Sequence, residues 1–128
     1  MARILFCEDE ATIRNLLAAV MRGRGHELAI TAGAEEALAA AELDWPDLLV
    51  TDQQLDESGT GAELVERLRQ VARGRPVPRV IFMTGALRRE DLEVIRSVDP
   101  TLIIHKPFSI QNLRQAVEHC LTPAPSEA

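Results

Sequence analysis

The stretch Leu48-Leu49-Val50-Thr51-Asp52 joins an unbroken apolar run to a single acid. A run of this length, lacking the alternation of a half-exposed strand, reads as a strand covered on both faces, as in parallel sheets flanked by helices. Asp52 then stands at the carboxyl end of that strand, the edge where open parallel sheets place their ligands. Four further runs have the same character, at 4–7, 28–31, 80–83 and 102–104. The segments between them carry helical spacing, clearest in Ile13, Leu16, Leu17, Val20 and Met21, after which Gly23 and Gly25 can end the helix. A second helix is expected over 34–43 and a third over 62–72. The fourth, over 88–97, has only Leu92 and Ile95 as an inward pair. The fifth starts after the N-cap candidate Ser109 and turns Ile110, Leu113, Val117 and Cys120 inward. Strands alternating with helices predict an α/β fold whose parallel sheet is covered on both faces by right-handed crossovers.

At 128 residues the chain fits one domain, large enough to bury roughly two thirds of its unfolded surface. No stretch approaches the roughly 20 apolar residues of a membrane span, and the start Met1-Ala2-Arg3-Ile4-Leu5 lacks a signal peptide's layout. A cytoplasmic protein without membrane contact is expected. Cys7 and Cys120 fall on apolar faces with no metal-like spacing and read as reduced core thiols. The net charge of −6 opposes nonspecific nucleic-acid binding, which needs dense positive charge facing phosphate. Residues 1–121 are expected to form the domain and 122–128, rich in Pro and Ala, a disordered tail, with no DNA-binding domain attached.

The strand ends carry the chemistry. The first run leads into Glu8-Asp9, the third ends in Asp52, the fourth in Thr84-Gly85 and the fifth in Lys106-Pro107. Each has an ordinary alternative: an acidic pair or a threonine can cap a helix, and Asp can open a turn. Lys106 is the only lysine among 14 Lys and Arg residues, and a compact ammonium suits a crowded oxygen contact that a guanidinium fork does not. Ionised Glu8, Asp9 and Asp52 against Lys106 leave −3 + 1 = −2 in one cleft. Two carboxylates about 4 Å apart repel by roughly 4 kcal/mol at an effective dielectric near 20, so the site calls for a divalent cation. All-oxygen ligation favours Mg²⁺ or Mn²⁺ over zinc. With the metal present, Asp52 can act as a nucleophile toward a phosphoryl group whose oxygens meet the Lys106 ammonium and the Thr84 hydroxyl. Gly85 and Ala86 leave room for that group, and Pro107 fixes the Lys106 turn, with the isomer of its peptide bond left open.

The order Glu8-Asp9, Asp52, Thr84 and Lys106-Pro107-Phe108 resembles the receiver domain of two-component response regulators, of the single-domain type, over residues 2–121. The resemblance implies a flavodoxin-like (βα)5 fold, a doubly wound five-stranded parallel sheet of strand order 2-1-3-4-5. It implies a phosphoprotein: Asp52 accepts phosphate from a phosphohistidine of a sensor histidine kinase or histidine phosphotransfer protein, and the chain then signals by contact with a downstream protein. Its chemistry would be limited to its own phosphorylation and slow autodephosphorylation. Mg²⁺ would be held by the side chains of Asp9 and Asp52, by Glu8 through water and by the backbone carbonyl of Gln54. By the same resemblance, Gln54 and Ala86 tune the lifetime of the phosphoryl group, and the face of the first helix bearing Ala11, Asn15, Ala18 and Arg22 receives a phosphodonor's helix.

Two features depart from that family's pattern. The aromatic residue usual three positions before the lysine is Ile103 here, and the loop after Asp52, Leu55-Asp56-Glu57-Ser58-Gly59-Thr60-Gly61, is one residue longer and lacks a proline. Relay of the signal is therefore expected through the 53–61 loop or the fourth helix. A receiver-like interaction module working without phosphate is the alternative. A phosphohydrolase that pairs a nucleophilic Asp with a general acid two positions later is disfavoured because that position is Gln54. A nucleotide site is disfavoured by the absence of a glycine-rich cradle after the first strand. Among other residues, His105 could touch an incoming partner but reads as an exposed turn residue, His26 and His119 have a weaker functional case still, and Trp45 reads as a packing anchor. The arginines at 67, 69, 73, 75 and 79 read as a solvated face.

Overall fold

The computed structural model describes residues 2–55, 59–85 and 89–122. Five strands alternate with five helices: β1 (Arg3–Cys7), α1 (Ala11–Met21), β2 (Glu27–Thr31), α2 (Ala34–Leu43), β3 (Leu48–Asp52), α3 (Gly61–Gln70), β4 (Arg79–Thr84), α4 (Arg89–Ser97), β5 (Leu102–His105) and α5 (Ile110–Leu121). All pairings between these strands are parallel and the order across the sheet is β2-β1-β3-β4-β5. This is the expected doubly wound, flavodoxin-like topology. β3 lies at the centre and every one of its residues is buried, which is why its sequence reads as a continuous run rather than an alternation.

The two sheet faces carry separate cores. Leu5, Leu49, Val80 and Phe82 pack with α2, α3 and α4 on one face. Ile4, Phe6, Val50, Ile81 and Met83 pack with α1 and α5 on the other. Consecutive strand residues thus feed opposite layers, as a pleat requires. The helices close on local signals. Ser109 caps α5 by accepting from the Asn112 N–H at 3.0 Å, and Gly23 ends the α1 region at φ +76°, a conformation that costs glycine little. α3 opens with a reciprocal cap, the Thr60 hydroxyl accepting from Glu63 N–H and the Glu63 carboxylate from Thr60 N–H.

Several expectations are corrected. Ile110 is not part of the inward stripe of α5 but 47% exposed, because it occupies the first helical position, before the helix has settled onto the sheet. α3 starts at Gly61 and ends at Gln70 rather than running over 62–72. The arginine group is not simply solvated. Arg67 pairs with Glu35 at 2.7 Å. Arg75 stacks 3.8 Å from the Trp45 ring while bonding Glu42 and the last carbonyls of α3. Arg79 donates to the Cys120 carbonyl at the end of α5. His26 is also engaged, by Glu118 at 3.3 Å and by the Ala2 N–H. Cys7 and Cys120 are buried and not joined in a disulfide. Among the described residues, no helix is long and apolar enough to cross a membrane. Ala86, Arg88, the 56–58 part of the loop after β3 and the tail from 123 onward lie outside the described residues.

Candidate functional site

β1, β3, β4 and β5 all end at one edge of the sheet. The register pairs Cys7 with Thr51, Asp52 with Met83 and Thr84 with His105. Glu8-Asp9, Asp52 and Thr84 therefore follow one another across three adjacent strand ends. Lys106 comes from the far strand, β5, and must reach past β4 to meet the acids. It does so: Nζ donates to Asp52 Oδ2 at 2.8 Å and to both Glu8 carboxylate oxygens at 2.9 and 3.0 Å. A Cβ at Gly85 would lie 3.9 Å from that of Lys106, an ordinary contact, so the lysine's path does not depend on glycine here. The Lys106 backbone N–H donates to the Thr84 carbonyl at 2.8 Å, and the Lys106–Pro107 bond is cis. Glu8, Asp52 and the half-buried Lys106 thus form one bonded group, with Thr84, 1% exposed, joined to it through its backbone carbonyl and Glu8 wholly enclosed.

The electrostatics follow from that enclosure. Burial pushes the Glu8 carboxyl from 4.5 up to about 7, helped by the charges of Asp52 and Asp9, although both hydrogen bonding and attraction to Lys106 pull it down. For Lys106, burial acts to lower the pKa, but hydrogen bonds to Asp52 and Glu8 outweigh it and the ammonium is held above its usual 10.5. One cation therefore serves two acids. The carboxylate oxygens of Glu8, Asp9 and Glu10 also come within 4.8 Å of one another. Glu10 was not singled out by the sequence. A hard, all-oxygen donor set with surplus negative charge and a carboxyl strained toward protonation fits Mg²⁺.

Asp52 is tied to the start of α3 by contacts that the sequence did not reveal. The buried Gln53 accepts twice, its carbonyl from Gly61 N–H at 3.1 Å and its side-chain Oε1 from Ala62 N–H at 2.9 Å. With Thr60 bonding Glu63 N–H, the first three helical N–H groups of α3 are satisfied. Gly61 lies so close beneath β3 that an added Cβ would overlap the Asp52 carbonyl oxygen and approach Phe82 Cε1 to 2.9 Å. Only glycine fits there. The T-x-x-E pattern of Thr60 and Glu63 was the available signal for this helix start, whereas nothing marks Gln53 as a cap. Gln54 is exposed, its N–H 3.4 Å from Asp52 Oδ1. Ile103 lies beside Phe82 in the sheet and packs into the α2–α3–α4 core. Next to Lys106, an apolar hollow of about 310 Å³ is lined by Ile13, Leu16, Lys106, Pro107 and Phe108.

Known proteins share both the sequence and this architecture. The pattern of the response regulator receiver domain matches residues 4–118. The transcriptional regulatory protein PdtaR of Mycobacterium tuberculosis is 33% identical over 117 residues, 91% of this chain and 55% of its own length. The phosphate regulon transcriptional regulatory protein PhoB of Escherichia coli is 30% identical over 113 residues, 87% of this chain and 48% of its own. This chain thus spans about half the length of these curated relatives. Chemotaxis protein CheY4 of Vibrio cholerae superposes with a TM-score of 0.83 at 25% identity, over 94% of this chain and 99% of that one. A receiver domain protein of Methanospirillum hungatei gives 0.81 at 26%, over 93% and 92%. With four strand ends supplying the acids, threonine and lysine to one edge of a 2-1-3-4-5 sheet, and a match over nearly its whole length, the chain belongs to the response regulator receiver domain family of two-component signal transduction.

Proposed function

We propose that Asp52 is the phosphoacceptor of this receiver, taking a phosphoryl group from a phosphohistidine on a sensor histidine kinase or histidine phosphotransfer protein. The carrying observation is the single ammonium of Lys106 bridging Asp52 at 2.8 Å and Glu8 at 2.9 Å. In the reaction an Asp52 carboxylate oxygen forms a bond to phosphorus as the bond from phosphorus to the donor imidazole nitrogen breaks, and the imidazole regains a proton from water. The phosphoryl oxygens would meet the Lys106 ammonium, which bridges Asp52 and Glu8, and the Thr84 hydroxyl at the end of β4. Asp9, Asp52 and the Gln54 carbonyl would hold Mg²⁺, with Glu8 beside them. The ion, when bound, supplies the positive charge that lets a phosphoryl group approach three acids.

Under this reading the chain's only chemistry is its own phosphorylation and autodephosphorylation. Residues 1–121 act as a cytoplasmic receiver that signals by protein contact. The apolar hollow beside Lys106 offers a phosphodonor's helix a seat next to Asp52. Incubation with Mg²⁺ and a small phosphodonor should add one phosphoryl mass to the wild type and none to Asp52→Asn. An adduct that persists in Asp52→Asn would put the phosphoryl group on another residue and refute the assignment; none in the wild type, with small donors or candidate kinases, favours the phosphate-independent interaction module.

A further inference from the structure

We infer that Arg14 is a positioning residue for the acidic loop, fixing the direction in which Asp9 presents its carboxylate to a divalent cation. The inference rests on the reading that Mg²⁺ binds at this edge. A single guanidinium nitrogen, Nη1, donates to the carbonyl oxygens of both Glu8 and Asp9, each at 2.9 Å. Those carbonyls belong to the two peptide units on either side of the Asp9 Cα. Fixing both planes fixes the backbone angles at Asp9, and hence the direction of its Cα–Cβ bond.

Among the described residues, the surrounding contacts leave this task to Arg14. Upstream, Glu8 N–H donates to the Thr31 carbonyl at 3.0 Å, which holds β1 to β2 but acts before the loop turns. Downstream, Glu10 occupies the N-cap of α1 and makes no side-chain capping bond. Asp9 itself is exposed, in contrast to the enclosed Glu8. Arg14 sits one turn into α1 and reaches back over the helix start, so the helix acts as the rigid support and the guanidinium as the clamp. Positioning of this kind is how groups behind a metal ligand govern affinity without touching the ion.

The charge of Arg14 works in the opposite direction. A cation next to three acids repels a second cation, so if charge were its whole effect, removing it would tighten Mg²⁺ binding. The sign of the change therefore separates the two roles. Mg²⁺ titrations of the metal-free full chain, followed by amide NMR at Glu8, Asp9, Glu10 and Asp52, test this. The comparison uses wild type, Arg14→Met, which keeps the apolar stem and helix propensity, and Arg14→Lys, which keeps the charge. Positioning predicts binding weakened about tenfold in Arg14→Met, and a smaller loss, about threefold, in Arg14→Lys, whose shorter reach serves two carbonyls less well. The melting temperature of each metal-free variant reports whether the fold is intact. Tighter or unchanged binding in Arg14→Met overturns the inference. Should that variant not fold, Arg14→Lys decides alone, with affinity equal to wild type counting against positioning. No saturable Mg²⁺ binding in the wild type removes the Mg²⁺ reading itself, and the inference with it.

Discussion

Glu8→Gln should make the metal-free protein more stable at pH 8 and leave it nearly unchanged near pH 4.5. Glu8 is wholly buried, and that burial raises its carboxyl from 4.5 to about 7. A group whose folded pKa lies above its unfolded value contributes stability that is fully present below the unfolded value and is lost as pH rises through the folded one. Here the window runs from 4.5 to about 7, and the shift corresponds to roughly 3 kcal/mol. Glutamine mimics the protonated carboxyl in size and in offering Lys106 an acceptor, without the cost of burying a charge. Lys106 stays protonated throughout this window, its pKa being raised, so it does not obscure the comparison. Urea unfolding with a chelator at a series of pH values measures both proteins. The variant's advantage should grow from near zero to about 3 kcal/mol as pH rises. A difference that is flat with pH, or that favours the wild type at pH 8, would mean that Lys106 outweighs burial and keeps Glu8 ionised. That would refute the reasoning.

Gly61→Ala places a methyl group onto the Asp52 carbonyl, and urea unfolding should show a loss of about 1–3 kcal/mol, the usual cost of overpacking. Lys106→Arg keeps the charge but cannot set one nitrogen among three carboxylate oxygens. The rate of phosphoryl incorporation followed by mass spectrometry should drop about tenfold, equivalent to one charge-assisted hydrogen bond; an unchanged rate would make Lys106 ordinary positive charge. With Mg²⁺ and beryllium fluoride as a phosphoryl mimic, amide signals of Gln53 and of Gly61 to Leu64 should move, because Gln53 ties Asp52 to α3. Shifts confined to the residues flanking Asp52 would eliminate α3 as the relay.

The sequence made the sheet legible because β3 and its neighbours are buried on both faces and therefore read as unbroken apolar runs. Strand ends follow directly from where such runs stop, so Glu8, Asp9, Asp52, Thr84 and Lys106 could be assigned to one edge without coordinates. Contacts made by backbone groups were not legible. Arg14 bonds two carbonyls and Gln53 caps a helix nine residues away, and a carbonyl partner leaves no mark on residue type. Gly61 was visible only as one glycine in a polar loop, although its lack of a side chain is what lets α3 approach Asp52. The arginines around α3 looked solvated because their partners, Glu35, Glu42, Trp45 and the end of α5, come from distant parts of the chain.

The central claim concerns one bond, between phosphorus and an oxygen of Asp52. Acyl phosphates react with hydroxylamine to leave a hydroxamate on the residue that carried the phosphoryl group. Treating the protein with a small phosphodonor and Mg²⁺, trapping with hydroxylamine and mapping the peptides by mass spectrometry reads that residue directly. The hydroxamate should fall on Asp52 alone and vanish when Mg²⁺ is chelated. A hydroxamate on Glu8, Asp9 or Glu10 instead, or full labelling of Asp52 without a divalent cation, would contradict the account.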